Sequence, residues 1–210
     1  MLRIITALVA GLTLATVAHA QGPTAIVIHG GAGTILRQNL TAEVEAAYRS
    51  KLSEAAKAGY EVLTGGGSSR DAVIAAITIM EDSALFNAGH GAVFTHAGRV
   101  ELDASIMDGS DLNAGAIASV TRVRNPIRLA ERVLTDSPHV MLVGEGAEVF
   151  AAAQNLELVD NAYFHTERRR SALQRAIEQE REALSEDASD TPILVDDKRG
   201  TVVAVALDQE

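Results

Sequence analysis

The segment Arg70-Asp71-Ala72-Val73-Ile74-Ala75-Ala76-Ile77-Thr78-Ile79-Met80 is apolar on nearly every side when wound as a helix. Such a helix does not sit with one face in water; it packs between other layers of structure. The chain must therefore supply at least two further layers around residues 70–80. Residues 41–64 precede it with a second helical pattern: Val44, Ala47, Tyr48, Leu52, Ala55, Ala56, Tyr60 and Leu63 recur at helical spacing. Thr41 has the chemistry of its N-cap, Gly65-Gly66-Gly67 ends it, and Ser68 or Ser69 caps the next helix.

Strand patterns flank this helical pair. Residues 24–29 (Thr-Ala-Ile-Val-Ile-His) form a β-branched apolar run that enters Gly30-Gly31-Ala32-Gly33. Residues 82–96 read as a glycine-spaced loop, and residues 99–107 then alternate. Val100, Leu102, Ala104 and Ile106 share one face there, while Glu101, Asp103, Ser105 and Met107 share the other. Residues 114–123 are a further strand, Pro126 opens a helix to about residue 134, and residues 139–143 read as a short buried strand. A helix near residues 147–154 and a polar, exposed helix over residues 167–184 follow. Residues 185–200 read as an acidic linker, after which Thr201 starts another strand-like run. Strands and helices are mixed along the chain without an internal repeat. With aromatics at 3% and no Trp, its core must be built from Ala, Val, Ile and Leu.

Residues 1–20 stand apart. Arg3 gives a positive start, residues 4–17 are apolar, and Ala18-His19-Ala20 has the form of a signal-peptidase site. The expectation is export to the periplasm or beyond, with a mature start at Gln21 and no membrane association afterwards. A formal charge of −10 argues against nucleic acid as a partner. The absence of cysteine removes disulfides and thiolate nucleophiles.

The remaining chemistry is sparse. Gly30 to Gly33 follow a strand, but neither a dinucleotide fingerprint nor a Gly-Lys-Ser/Thr step is present. Glu101 and Asp103 share a strand face, where a solvated charge pair and a catalytic one look alike. The histidines show no zinc-binding spacing, no Gly-x-Ser-x-Gly elbow occurs, and Arg168-Arg169-Arg170 reads as a solvated basic face. The step Gly200-Thr201 admits an ordinary turn or a self-cleavage site. In the second case Thr201 becomes N-terminal, and its α-amine can take the hydroxyl proton.

Several stretches in order carry a resemblance. They are Ile28-His29-Gly30-Gly31-Ala32-Gly33, Leu85-Phe86-Asn87-Ala88-Gly89-His90-Gly91, Glu101-Leu102-Asp103-Ala104-Ser105-Ile106-Met107-Asp108-Gly109 and Asn113-Ala114-Gly115-Ala116. Arg124-Asn125-Pro126, Ser137-Pro138-His139, Gly144-Glu145-Gly146 and Gly200-Thr201-Val202 complete the series. Together they resemble the α-subunit of plant-type L-asparaginases, or isoaspartyl peptidases, among the N-terminal nucleophile hydrolases. The resemblance implies an α+β fold, an αββα sandwich incomplete here, from a precursor that cuts itself before a threonine. Thr201 would be the nucleophile, Gly200 the residue whose carbonyl it attacks, and Asn87 a polar group beside it. His29, Gly30, Gly31 and Gly33 would form a glycine loop near the cut. Backbone carbonyls of Met80, Glu81, Ser83, Phe86, Ala88 and His90 would hold a structural sodium ion, with no cofactor needed for the chemistry.

The substrates implied are L-asparagine and β-aspartyl dipeptides. Residues 21–200 would be the α-subunit and residues 201–210 the start of a β-subunit, in an (αβ)2 assembly. The groups that bind substrate are expected in the rest of that β-subunit, so this chain reads as a fragment, inactive alone. A truncated, inactive exported homologue and a glycosylasparaginase-like amidase are the alternatives. Val203 stands where the family usually has glycine, and Ala84 where proline is common.

Overall fold

The computed structural model describes residues 22–31, 40–185 and 200–209. The expected signal peptide, Gly33 and most of the acidic linker lie outside them. The fold is α+β, with two small sheets and five α-helices among the described residues.

Strand β1 (Ala25–His29) pairs antiparallel with β5 (Val203–Leu207), Ala25 opposite Leu207 and His29 opposite Val203. The alternation of side chains gives this ribbon two faces. Ile26, Ile28 and Ala204 pack against the core, whereas Val27, Val205 and Leu207 face outward, Val27 at 71% exposure. Helices α1 (Ala42–Thr64) and α2 (Ser69–Glu81) lie on the inner face. Their caps are those the sequence predicts: Thr41 Oγ1 accepts from Val44 N at 3.3 Å and Ser68 Oγ from Asp71 N at 3.0 Å. α2 packs against α1, α3 and β5 at once, with Ala72, Ile74, Ala76, Ile77 and Met80 buried. Its all-round apolar pattern thus corresponds to burial on several sides. At the far end of β5, Asp208 Oδ2 accepts from Ser69 N at 2.6 Å, which fastens the strand to the first turn of α2.

The second sheet has the order β2-β3-β4. β2 (Leu102–Met107) and β3 (Ala114–Val120) are antiparallel, and β4 (Met141–Val143) runs parallel to β3. Helix α3 (Pro126–Asp136) crosses β2 and β3, burying Leu129, Ala130 and Val133 against Leu102, Ile106, Ile117 and Val120. The register shifts between Leu102 and Ala104, and Ser119 lies opposite with a φ of 54°. Asp103 Oδ1 accepts from Ser119 N at 2.8 Å, so this carboxylate secures an irregular strand. Helix α4 (Gly144–Ala153) follows β4, and α5 (Glu167–Ser185) is largely exposed, as its charge pattern predicts. None of the described helices is long and apolar enough to cross a membrane.

The expectation of a buried strand over residues 139–143 is corrected. Val140, Met141 and Val143 are 64%, 51% and 55% exposed. β4 is an edge strand paired only to β3, and only Leu142 packs on the core. An apolar run covered on one side has the same composition as one covered on both.

Glu81, the last residue of α2, is 3% exposed, and its Oε1 accepts from Ile127 N at 3.0 Å in the first turn of α3. Pro126 has no N–H to offer there, so Ile127 provides the first amide the carboxylate can cap. Oε2 is buried without a partner. Burial pushes the Glu81 carboxyl up to about 8 from an ordinary 4.5, against the pull of the Ile127 amide and Asn125.

Two outcomes follow from this packing. Gly115 lies so close to α3 that a methyl would overlap the carbonyl oxygen of Ala130. G115A should lower stability by about 1–3 kcal/mol, read from denaturant midpoints. The folded chain keeps a Glu81 proton that the unfolded chain releases above 4.5. Glu81 therefore subtracts stability progressively as pH rises from 4.5 to about 8, and by a constant amount beyond. E81Q keeps the acceptor for Ile127 and should flatten that decline in thermal midpoint against pH; an unchanged slope would refute the assignment.

Candidate active site

The β1–β5 register dictates what meets beyond its end. His29 lies opposite Val203, so the backbone leaving β1 must pass the residues entering β5. Gly31 accordingly runs beside the Gly200–Thr201 peptide: its Cβ position is 3.6 Å from Gly200 Cα and 3.7 Å from Thr201 N. That spacing leaves room for a side chain, but the φ of 114° does not favour one. At Gly30 the reason is space, because a Cβ would stand 3.0 Å from Leu52 and from the Phe86 ring. His29 itself sits on the outward face of the ribbon.

Asn87 comes from the loop after α2 and reaches the same peptide. Its Nδ2 donates to the Gly200 carbonyl oxygen, and its Oδ1 accepts from Val93 N at 2.9 Å. The amide is held from both ends, with its N–H groups directed at the carbonyl that precedes Thr201. Asn87, Gly200 and Thr201 line a cleft of about 1050 Å3 that continues along the outward-facing residues Ser105 and Met107 of β2. Thr201 is exposed.

The Asn87 loop has little regular structure beyond a 3-10 turn at Gly89–Gly91, and side chains from elsewhere hold it. The Phe86 ring is buried and meets Tyr48 edge-on at 5.7 Å. Tyr48 Oη donates to Leu85 O at 2.8 Å. Arg168 Nη2 donates to Ala84 O and Leu85 O, both at 2.9 Å, and its Nη1 to Tyr48 Oη at 3.0 Å. Arg169 Nε donates to Gly91 O at 2.7 Å. Burial pushes the Arg169 guanidinium down to about 10, leaving it charged at neutral pH. The expectation of a solvated basic face is thus corrected in part: Arg169 is half-buried, while Arg168 stays exposed, and the head groups of both turn onto backbone carbonyls. Arg170 is exposed and lies over the Phe94 ring at 5.8 Å.

The residues singled out for an ion surround this loop. Carbonyl oxygens of Ser83 and Ala84 lie 2.9 Å from the Cβ position of Gly91, with that of Phe86 closer still, and the Glu81 carbonyl abuts Gly89 in the same way. A side chain at either glycine would fill this cradle of oxygens. Met80 O already accepts from Ser83 N at 3.2 Å and Ala88 O from Gly91 N at 3.0 Å. Such a set of carbonyl oxygens fits a hard cation rather than a soft transition metal. His90 Nδ1 pairs with Tyr163 O at 2.6 Å and packs on the Tyr163 ring.

Other candidates disperse. Glu101 and Asp103 are both exposed, and Asp103 is committed to Ser119. His96 pairs with Glu180 at 3.1 Å and His165 with Asn161 at 3.2 Å. No cluster of three or more metal-ligating side chains occurs among the described residues. Sequence patterning missed Tyr48, Arg168 and Arg169 as supports of the loop, and Asp208 as the latch of β5. Helical spacing marks Tyr48 only as a core residue, and no local signal marks the others.

A sequence profile described as Asparaginase matches residues 22–210. The chain belongs to the asparaginase family. It is 44% identical over 188 residues to a protein named isoaspartyl peptidase from Escherichia coli (strain K12), covering 90% of this chain and 58% of that protein. Identity is 45% over 184 residues to the Salmonella typhimurium isoaspartyl peptidase, covering 88% and 58%. It is 40% over 185 residues to the isoaspartyl peptidase/L-asparaginase of Xenopus laevis, covering 88% and 55%. This asparaginase-family chain therefore spans a little over half the length of these relatives.

Proposed function

We propose that this chain carries the nucleophile of an amidohydrolase acting on L-asparagine and β-aspartyl (isoaspartyl) dipeptides. Thr201 is the nucleophile, released when the chain cuts itself at Gly200–Thr201. The contact from Asn87 Nδ2 to the Gly200 carbonyl oxygen carries this reading. It is the interaction needed where negative charge develops when Thr201 Oγ attacks that carbonyl carbon. The hydroxyl proton passes to a base, the carbonyl oxygen takes the negative charge, and the oxyanion then collapses. The C–N bond breaks, the Thr201 nitrogen takes up a proton, and an ester joins Gly200 to Thr201 Oγ. Water hydrolyses the ester, leaving a Gly200 carboxylate and a Thr201 with a free α-amine.

In turnover that amine takes the hydroxyl proton as Thr201 Oγ attacks the substrate's side-chain carbonyl. Ammonia or the peptide amine leaves with a proton, and water hydrolyses the acyl-enzyme to aspartate. The relatives' names support the substrate class.

The remaining parts of the reading fit around this step. Gly31 keeps the backbone beside the cleavage bond free of a side chain, and Gly30 lets the same segment, leaving β1 at His29, pack on Leu52 and Phe86. A sodium ion held by carbonyls of the loop over residues 80–90 would fix its shape and take no part in bond making. Residues 1–20 direct export. The chain is the α-subunit with the first strand of the β-subunit, in an (αβ)2 enzyme of αββα architecture. Further β-subunit sequence then completes the substrate site and covers the outward faces of both sheets, and residues 21–210 alone do not hydrolyse asparagine.

The test is intact mass and N-terminal sequencing of the full-length gene product and its variants. A second chain beginning at Thr201 is expected for the wild type and not for T201A. N87A should slow its appearance by about 10²–10³-fold, the scale of losing one oxyanion donor. Asparaginase activity in a protein that stays uncut, or cutting at another bond, would refute the reading.

A further inference from the structure

The loop over residues 82–91 presents an uncommon set of partners for its carbonyls. Those of Ala84 and Leu85, just before Asn87, accept from Arg168, and that of Gly91, just after it, accepts from Arg169. Two adjacent residues at the start of α5 thus grip both shoulders of the loop. They lie more than 70 residues away in sequence, at separations of 84, 83 and 78. Bonds from a charged donor are the stronger class, and the planar guanidinium lets one nitrogen of Arg168 serve two oxygens while another meets Tyr48. Between these shoulders, Phe86 is sunk in the core and Asn87 spans the gap to Gly200. Arg124 pairs with the Asp82 side chain at the edge of the stretch, but among the described residues no other charged donor bonds its backbone carbonyls.

We propose that Arg168 and Arg169 are positioning residues: they clamp the loop so that Asn87 Nδ2 stays on the Gly200 carbonyl, and so set the rate at which the Gly200–Thr201 bond is cut. This rests on the cleavage reading above and adds to it the part of the molecule that tunes the step. A polar group that stabilises developing charge must be held within about 0.5 Å of its productive place. The arginines add three charge-assisted bonds to the few that the loop makes within its own backbone. The arginines act through geometry; neither touches the Gly200–Thr201 bond.

The experiment uses the full-length protein and follows cutting at Gly200–Thr201 by intact mass, with hydrogen exchange of residues 84–91 measured separately. R168Q and R169Q should each slow cutting at least 10-fold and raise exchange in the loop, while R175Q, an exposed change on the same helix, matches wild type. R168K should remain slow, because lysine restores the charge but not the fork. In an N87A background, R168Q should add no further slowing, since its effect runs through Asn87. Wild-type cutting by R168Q and R169Q would overturn the proposal, as would rate losses that simply multiply with N87A. A wild type that never cuts would instead sink the cleavage reading, and the exchange data would then decide the clamp alone. Unchanged loop exchange in both arginine variants overturns it in every case.

Discussion

The pairing of β1 with β5 brings together segments from nearly opposite ends of the described chain, and the site depends on its register. Closing so long a loop is entropically costly, though the cost grows only slowly with length. Burial of Ile26, Ile28 and Ala204 against the helical layer offsets it, and Asp208 on the α2 N-terminus fixes the far end. A slip of one residue would turn every β5 side chain to the other face, placing Val203 and Val205 inward. It would also move the Gly200 carbonyl away from Asn87. The apolar alternation that stabilises the ribbon is therefore what aligns the reactive peptide.

Helices were the most legible part of the fold. Thr41 and Ser68 announce starts through side-chain oxygens that bond amides three residues on, a relation contained within a single turn. The alternation from Val100 to Ile106 is equally local. The exposure of β4 was not legible, because it depends on what lies beside the strand rather than on its residues. Glu101 and Asp103 show the same limit: alternation places both on a solvent face, while the bulge that engages Asp103 involves a residue 16 positions away.

At the site, Gly200-Thr201 and the glycine loop are visible in the sequence pattern as one of two readings each, whereas Asn87 is named by the resemblance alone. The contact joining Asn87 to Gly200 spans 113 residues, and nothing in either neighbourhood foretells it. Arginines were misread for a related reason. On a helix otherwise rich in charge, Arg168 and Arg169 have the composition of a solvated face, and only the course of a distant loop shows that their reach ends on carbonyls. Family membership narrows the chemistry, yet it did not indicate which side chains hold the loop in place.

The bond from Asp208 to Ser69 has a consequence for the products of a cut. Severing Gly200 from Thr201 would turn an intramolecular strand pair into an association between two chains, whose persistence then depends on concentration and off-rate. The strand would enter that state with its distal end still tethered by a charge-assisted bond to a helix terminus. Its new N-terminus gains freedom to rotate and recruit water, while sliding or escape requires the opposite end to let go first. Asp208 thus separates local release at the reacting end from loss of the strand as a whole.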